Sequence, residues 1–283
     1  KKQVFEQIKI SEKFVLYLSP ERVQKPGFAN WIKKQKNLVL FAIDEAHCVS
    51  QWGPDFREDY NRLSLLRNLR PKTPILALTA TATPRVLRDV SQQLQLNDPD
   101  HHVYGFYRPN LFYQVEVCQQ DEEKRAFIFG ALKQYKEGRV LIYCGTRKQT
   151  EELAVELGDR FDGVSYYHAG LSTEVRNSVQ EKMANGEIRI LTATNAFGMG
   201  IDYPDVRLVM HYQMPANIES FYQEMGRAGR DQDPATCVLL YAKKDKELQS
   251  FFIQQSDEDQ ATISRRWDGL NVLTQFVEGG ECR

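Results

Sequence analysis

The chain has 283 residues, 42% hydrophobic and 27% charged, with 37 Lys and Arg against 38 Asp and Glu for a formal net charge of −1. That balance, with a pI near 6.6, excludes a histone-like, indiscriminate polyanion binder, because non-specific phosphate binding scales with the cations presented; a local basic groove stays open. The length favours two domains, each able to bury an ordinary core.

Five cysteines, Cys48, Cys118, Cys144, Cys237 and Cys282, show no CxxC spacing, which favours a reduced, cytosol-like compartment. No apolar run approaches a membrane span and no signal peptide is expected at the first residues, so no membrane association is expected.

In chain order, short β-branched and apolar runs alternate with amphipathic stretches, the pattern of parallel sheets covered by helices. The runs predict strands over 13–19 (KFVLYLS), 38–43 (LVLFAI) and 74–80 (PILALTA), then 139–144, 163–168, 187–193, 206–212 and 236–241. Two α/β sheets follow. Thr83 reads as the N-cap of a helix with Pro84 in its first turn and Val86, Val90 and Leu94 as its core stripe. A second such helix is capped by Ser172, carries Val175, Val179 and Met183, and stops near Gly186. GFYRPNLFYQ (105–114), interrupted by Pro109, reads as the boundary between the sheets. DEEKR (121–125) reads as a solvated helix start, and the charged sequence after Tyr241 as a further helical element.

Three motifs carry chemistry. AIDEAH (42–47) ends a hydrophobic strand in two carboxylates, at the edge where parallel sheets bind ligands. Asp44 is placed to hold Mg²⁺, and Glu45 to orient or deprotonate a water attacking a γ-phosphate. LTATAT (78–83) offers Thr79 and Thr81 to reach the acidic motif. In SFYQEMGRAGRD (220–231), Arg227 and Arg230 are separated by small residues after a helix, so that their guanidinium forks can meet a phosphate across an interdomain cleft.

With DEAHC.SQWG.DFR..Y, LTATAT, YHAGL and AFGMGID.P.VR.V.HY..P.N.E...QE.GRAGRD in place over nearly the whole chain, the sequence resembles superfamily 2 helicases of the RecQ type. The resemblance implies an α/β fold of two RecA-like parallel-sheet domains, the first incomplete, and the start of a C-terminal helical element, with spans 1–105, 106–241 and 242–283. It implies ATP and Mg²⁺ as cofactors, single-stranded and partly duplex DNA as partners, and 3′ to 5′ movement driven by closing and reopening of the two domains in recombination and repair. The implied location is cytoplasmic and nucleoid-associated in a bacterium, or nuclear in a eukaryote.

Carried onto this chain, the family's roles make Asp44, His47, Asp202, Gln223, Arg227 and Arg230 nucleotide-side residues, with Asp44, Glu45, Arg227 and Arg230 catalytic. Glu21 in SPER (19–22) would brace a DNA-contacting loop. The implied DNA contacts are Ser19, Gln51, Trp52, Phe56, Arg57, Thr146, Arg147, His168 and Thr194, where Trp52 and Phe56 beside Arg57 would form a base-stacking platform. A non-catalytic, helicase-like DNA-binding paralogue and a DEAD-box-type RNA helicase are the alternatives, the second opposed by QWGPDF.

The sequence departs from the family at both ends. It holds no G-x-x-x-x-G-K-[ST] phosphate loop and no Gly-Lys dipeptide at all, and the adenine-reading glutamine motif is missing too. Truncation of the first domain, with catalytic deficiency of the isolated piece, is the resulting expectation. GGECR resembles the start of the family's zinc region. Cys282 by itself cannot make a tetrahedral site, so Zn²⁺ is expected only in an intact protein.

Overall fold

The structure, a computed structural model, describes residues 2–50, 56–198 and 202–279. The chain divides into two compact units between Val103 and Tyr104.

In the first unit, helices Lys2–Ile10, Pro20–Val23 and Phe28–Lys34 precede strand β1 (Phe41–Ile43), and helices Glu58–Asn61 and Ser64–Leu69 precede β2 (Ile75–Ala77) and the helix Pro84–Gln93. β1 and β2 pair in parallel with Phe41 opposite Ile75 and Ile43 opposite Ala77. The last helix starts as its sequence dictates: Thr83 Oγ1 accepts from the Val86 N–H, Pro84 fills the first turn, and Val86, Val90 and Leu94 are buried with Ile43 and Phe28.

KFVLYLS forms no strand. Residues 14–19 have no regular structure, and Val15 and Tyr17 are 79% and 90% exposed. A strand exists only where a neighbour takes its backbone hydrogen bonds, and among the described residues of this unit only β1 and β2 pair.

The second unit is built on β3 (Leu111–Val117), β4 (Arg139–Tyr143), β5 (Val164–Tyr167), β6 (Ile190–Ala193), β7 (Val206–His211) and β8 (Ala235–Tyr241), all parallel, in the order β3-β8-β7-β4-β6-β5. Strand alternation divides the core into two layers: Leu141 and Tyr143 of β4 face one, Val140 and Ile142 the other. Helices Asp121–Gln134, Arg147–Gly158, Thr173–Ala184 and Ile218–Met225 connect the strands. The helices Lys243–Gln254 and Gln260–Glu278 lay Ile253, Leu270, Leu273 and Val277 on the Leu141 layer.

Three sequence expectations change here. β3 occupies part of the stretch read as a boundary, because its backbone pairs with β8 from Leu111–Ala235 to Val117–Tyr241. Val175 is 45% exposed while Val179 and Met183 are buried, so the stripe of helix Thr173–Ala184 is narrower than its spacing suggests. Within DEEKR, Lys124 is fully buried: its Nζ lies 2.6 Å from Asp245 Oδ2 and donates to the Tyr212 carbonyl at 2.7 Å.

Candidate functional site

Asp44 and Glu45 follow β1 directly. Glu45 has φ 50° and ψ 42°, the left-handed conformation, where the chain leaves the strand for a short 3-10 turn over Ala46–Val49. For a non-glycine residue this conformation costs about 1–3 kcal/mol, and it persists where surrounding bonds enforce it. Here the Glu45 N–H donates to Asp44 Oδ1 at 2.9 Å, and the Ala46 N–H donates to the Leu78 carbonyl at 2.8 Å.

His47 is buried, with Nδ1 2.9 Å from Thr79 Oγ1 and 3.3 Å from Glu45 Oε2. The single Thr79 hydroxyl hydrogen goes to the Thr81 carbonyl at 3.0 Å. Oγ1 therefore accepts from His47, which makes Nδ1 the protonated ring nitrogen. The acidic motif and LTATAT are thus linked through one imidazole.

Around this centre, Ser19 precedes the helix Pro20–Val23, and its hydroxyl, followed by the residue's own backbone N–H, holds the Glu21 carboxyl below the usual range. Phe56 and Arg57 are exposed, and the Arg57 N–H donates to the Cys48 carbonyl at 3.0 Å. Gln51 and Trp52 lie outside the described residues, as does Cys282.

In the second unit the carboxyl ends of the neighbouring strands β4, β6 and β5 carry Thr146, Thr194 and His168. Thr146 caps helix Arg147–Gly158 by accepting from the Gln149 N–H at 3.2 Å, leaving Arg147 in the first turn, where backbone N–H groups favour anions. Thr194 Oγ1 accepts from the Ala196 N–H at 3.4 Å.

His168 is only 4% exposed. Its Nδ1 accepts from the Gly170 N–H at 3.2 Å, so Nε2–H donates to Glu151 Oε1 at 2.8 Å. Both ring nitrogens are engaged by protein, and the ring stacks on Tyr166 at 5.8 Å. The residue braces its loop.

Helix Ile218–Met225 carries Gln223 and runs into the Gly-Arg-Ala-Gly-Arg turn. Arg227 Nη1 donates to the Gly198 carbonyl, and a Cβ at Gly198 would stand 2.8 Å from that guanidinium. Arg230 Nη1 lies 2.8 Å from Asp202 Oδ1. Both arginines are therefore held by residues that follow β6 in the chain, Gly198 and Asp202.

Sequence reasoning missed the groups that hold this turn. His211 at the end of β7 pairs with Glu224 at 2.7 Å and stacks on Tyr143 at 5.4 Å, fixing helix Ile218–Met225 to the sheet. Arg108 and Asn110 bond the turn's carbonyls. Glu224 stood inside a quoted motif, and Arg108 and Asn110 inside the boundary stretch, but neither setting names a partner. Among the described residues no group of three or more His, Cys, Asp or Glu is arranged to hold a metal ion. Nor is any described helix long and apolar enough to cross a membrane.

Comparison with known proteins agrees with this geometry. Residues 1–90 match the DEAD/DEAH box helicase family and residues 123–232 the helicase conserved C-terminal domain. A protein of Bacillus subtilis described as probable ATP-dependent DNA helicase RecS is 40% identical over 95% of this chain and 53% of its own length. ATP-dependent DNA helicase RecQ of the same organism is 40% identical over 93% of this chain and 44% of its own length. The chain thus spans about half the length of these curated relatives. Among solved structures, S. cerevisiae Dbp5 bound to RNA and ADP BeF3 superposes with a TM-score of 0.62 at 18% identity, over 90% of this chain and 68% of that one. A DEAD box protein from Methanococcus jannaschii gives 0.51 at 26% identity, over 89% and 67%. These likenesses show the RecA-like fold. With a helicase family matched in each unit and both RecS and RecQ 40% identical over more than nine-tenths of its length, the chain belongs to the RecQ-type helicases of superfamily 2.

Proposed function

We propose that the protein carrying this chain is an ATP-dependent DNA helicase that moves 3′ to 5′ on single strands and parts partly duplex DNA. The observation that carries the reading is the His47–Thr79 bond, which ties the Asp44–Glu45 strand end to the LTATAT turn. In a motor, such a link passes the state of the phosphate site to the rest of the unit.

Glu45 orients the attacking water and takes its proton. Arg227 and Arg230 stabilise the charge that develops on the γ-phosphate, a role worth about 10³ to 10⁵ in rate; to reach it they exchange the Gly198 carbonyl and the Asp202 carboxylate for phosphate oxygen. Asp44 is exposed at the strand end and is a hard oxygen donor, which suits Mg²⁺ brought in with the nucleotide. Bound there, the ion neutralises phosphate charge. Thr146, Arg147 and Thr194 contact the DNA backbone without reading bases, as an enzyme that must cross any sequence requires, and Phe56 with Arg57 supports base stacking.

The test is ATP hydrolysis by the full-length protein with single-stranded DNA or RNA, and unwinding of duplexes with 3′ or 5′ tails. DNA stimulation, unwinding from 3′ tails, and a loss of at least about 100-fold in kcat for Glu45→Gln are expected. Stimulation by RNA alone would sink the reading.

A further inference from the structure

We propose that Arg108 is a positioning residue for the arginine turn, its guanidinium fixing the two peptide planes from which Arg227 and Arg230 emerge. The inference rests on the helicase reading above.

Arg108 Nη1 donates to the Gly226 carbonyl at 3.1 Å and Nη2 to the Gly229 carbonyl at 2.6 Å. Each oxygen belongs to the peptide that leads into one of the two arginines. A planar, rigid fork holding both acceptors sets the orientation of both peptides together. Asn110 Nδ2 adds bonds to the Gly229 carbonyl at 2.8 Å and to the Asp233 carbonyl at 3.0 Å.

The turn is shaped for this grip. Gly229 has φ +52°, and a Cβ there would lie 2.6 Å from Asn110 Nδ2, so only glycine admits the amide. The brace is itself anchored: the Ala235 N–H donates to the Asn110 carbonyl at 2.9 Å, Tyr222 OH donates to the Phe106 carbonyl at 3.3 Å, and the two rings of Phe106 and Tyr222 meet edge to face at 5.7 Å. Arg108 has no phosphate role in this arrangement. It acts through the orientation of its neighbours, and displacement of a catalytic group by about 1 Å can cost about 100-fold in rate.

The experiment uses the full-length protein and DNA-stimulated ATP hydrolysis. Arg108→Gln should lower kcat by about 10- to 100-fold, with KM for ATP and nucleotide-free DNA affinity held within about twofold. In an Arg230→Ala background the same change should cost less than in the wild type, because one of the two groups it positions is gone. Arg108→Lys, which retains the charge and one of the two bonds, should fall between wild type and Arg108→Gln. If Arg108→Gln loses its cooperative melt, Arg108→Lys alone carries the test, and a wild-type kcat in it overturns the proposal. Equal losses from Arg108→Gln in the wild-type and Arg230→Ala backgrounds overturn it as well. A wild-type protein with no nucleic-acid-stimulated hydrolysis sinks the helicase reading and this inference together, whereas an active wild type with an unaltered Arg108→Gln sinks this inference alone.

Discussion

Lys124 Nζ and Asp245 Oδ2 stand 2.6 Å apart with both side chains buried, joining the start of helix Asp121–Gln134 to the start of helix Lys243–Gln254. Burial lowers the Lys124 pKa and raises that of Asp245, while the attraction between them opposes both shifts. Removing one partner leaves an uncompensated buried charge. Lys124→Met should therefore cost about 3–5 kcal/mol of stability in urea denaturation. Lys124→Met with Asp245→Asn should cost less, since the neutral amide oxygen can still accept the Ala242 N–H that Asp245 now accepts at 3.0 Å. A single variant within about 1 kcal/mol of wild type would contradict a structural role for the pair.

Thr79 gives His47 its acceptor, so Thr79→Val removes the bond while retaining the side-chain shape. The expected result is a full-length protein that still binds ATP but whose hydrolysis responds less to DNA, by about 10-fold in the ratio of stimulated to basal rate. Thr79→Ser, which retains the hydroxyl, should restore the response. Equal ratios in wild type and Thr79→Val would exclude this bond as the link.

Gly229 and Gly186 both take positive φ, +52° and +85°, but only Gly229 is crowded, with the Asp233 carbonyl 2.7 Å from a built Cβ and nothing within 4 Å at Gly186. Alanine at Gly186 should cost only the left-handed backbone penalty, about 1–2 kcal/mol. Alanine at Gly229 should add about 1–3 kcal/mol of crowding. Chemical denaturation of the two variants side by side measures the difference, and equal costs would refute the packed turn.

Asp259 caps the helix Gln260–Glu278, accepting from the Thr262 N–H and hydroxyl, each at 2.9 Å. These bonds, the backbone one first, hold its carboxyl below the usual aspartate range. A depressed folded pKa contributes stability at pH above the unfolded value and loses it as pH falls through the folded value. Asp259→Asn, which still accepts from the backbone, should therefore melt close to wild type at low pH and show a weaker loss on acidification from neutral to below pH 4. Identical acid profiles for the two proteins would remove the charged cap.

Much of the second unit was legible because its strands are buried on both faces and read as unbroken apolar runs, as in β4, where Val140 to Tyr143 are all buried. The caps Thr83 and Ser172 were legible because a hydroxyl before a periodic helix has a local partner, three residues on. β3 was not: it is an edge strand with Gln114 and Glu116 among its apolar residues, and Pro109 just before it is the stronger local signal. KFVLYLS failed in the opposite direction, since its composition suits a strand but pairing decides.

The candidate site divides in the same way. Asp44, Glu45, Arg227 and Arg230 announce themselves as short charged motifs at element ends. Arg108 bonds residues 118 and 121 positions away, and Lys124 one 121 away. A run such as DEEKR looks solvated because its buried counter-charge lies so far along the chain. The His47–Thr79 link, at 32 residues, was within reach only because both ends sat in recognisable motifs.

The Arg108 fork grips main-chain oxygens, which every amino acid supplies. The grip thus does not depend on which side chains the clasped loop carries, whereas the clasp itself has no substitute that offers two parallel donors from one plane. Constraint should therefore differ in kind between the two positions, set by volume at the buried Ala228 and by donor geometry at Arg108.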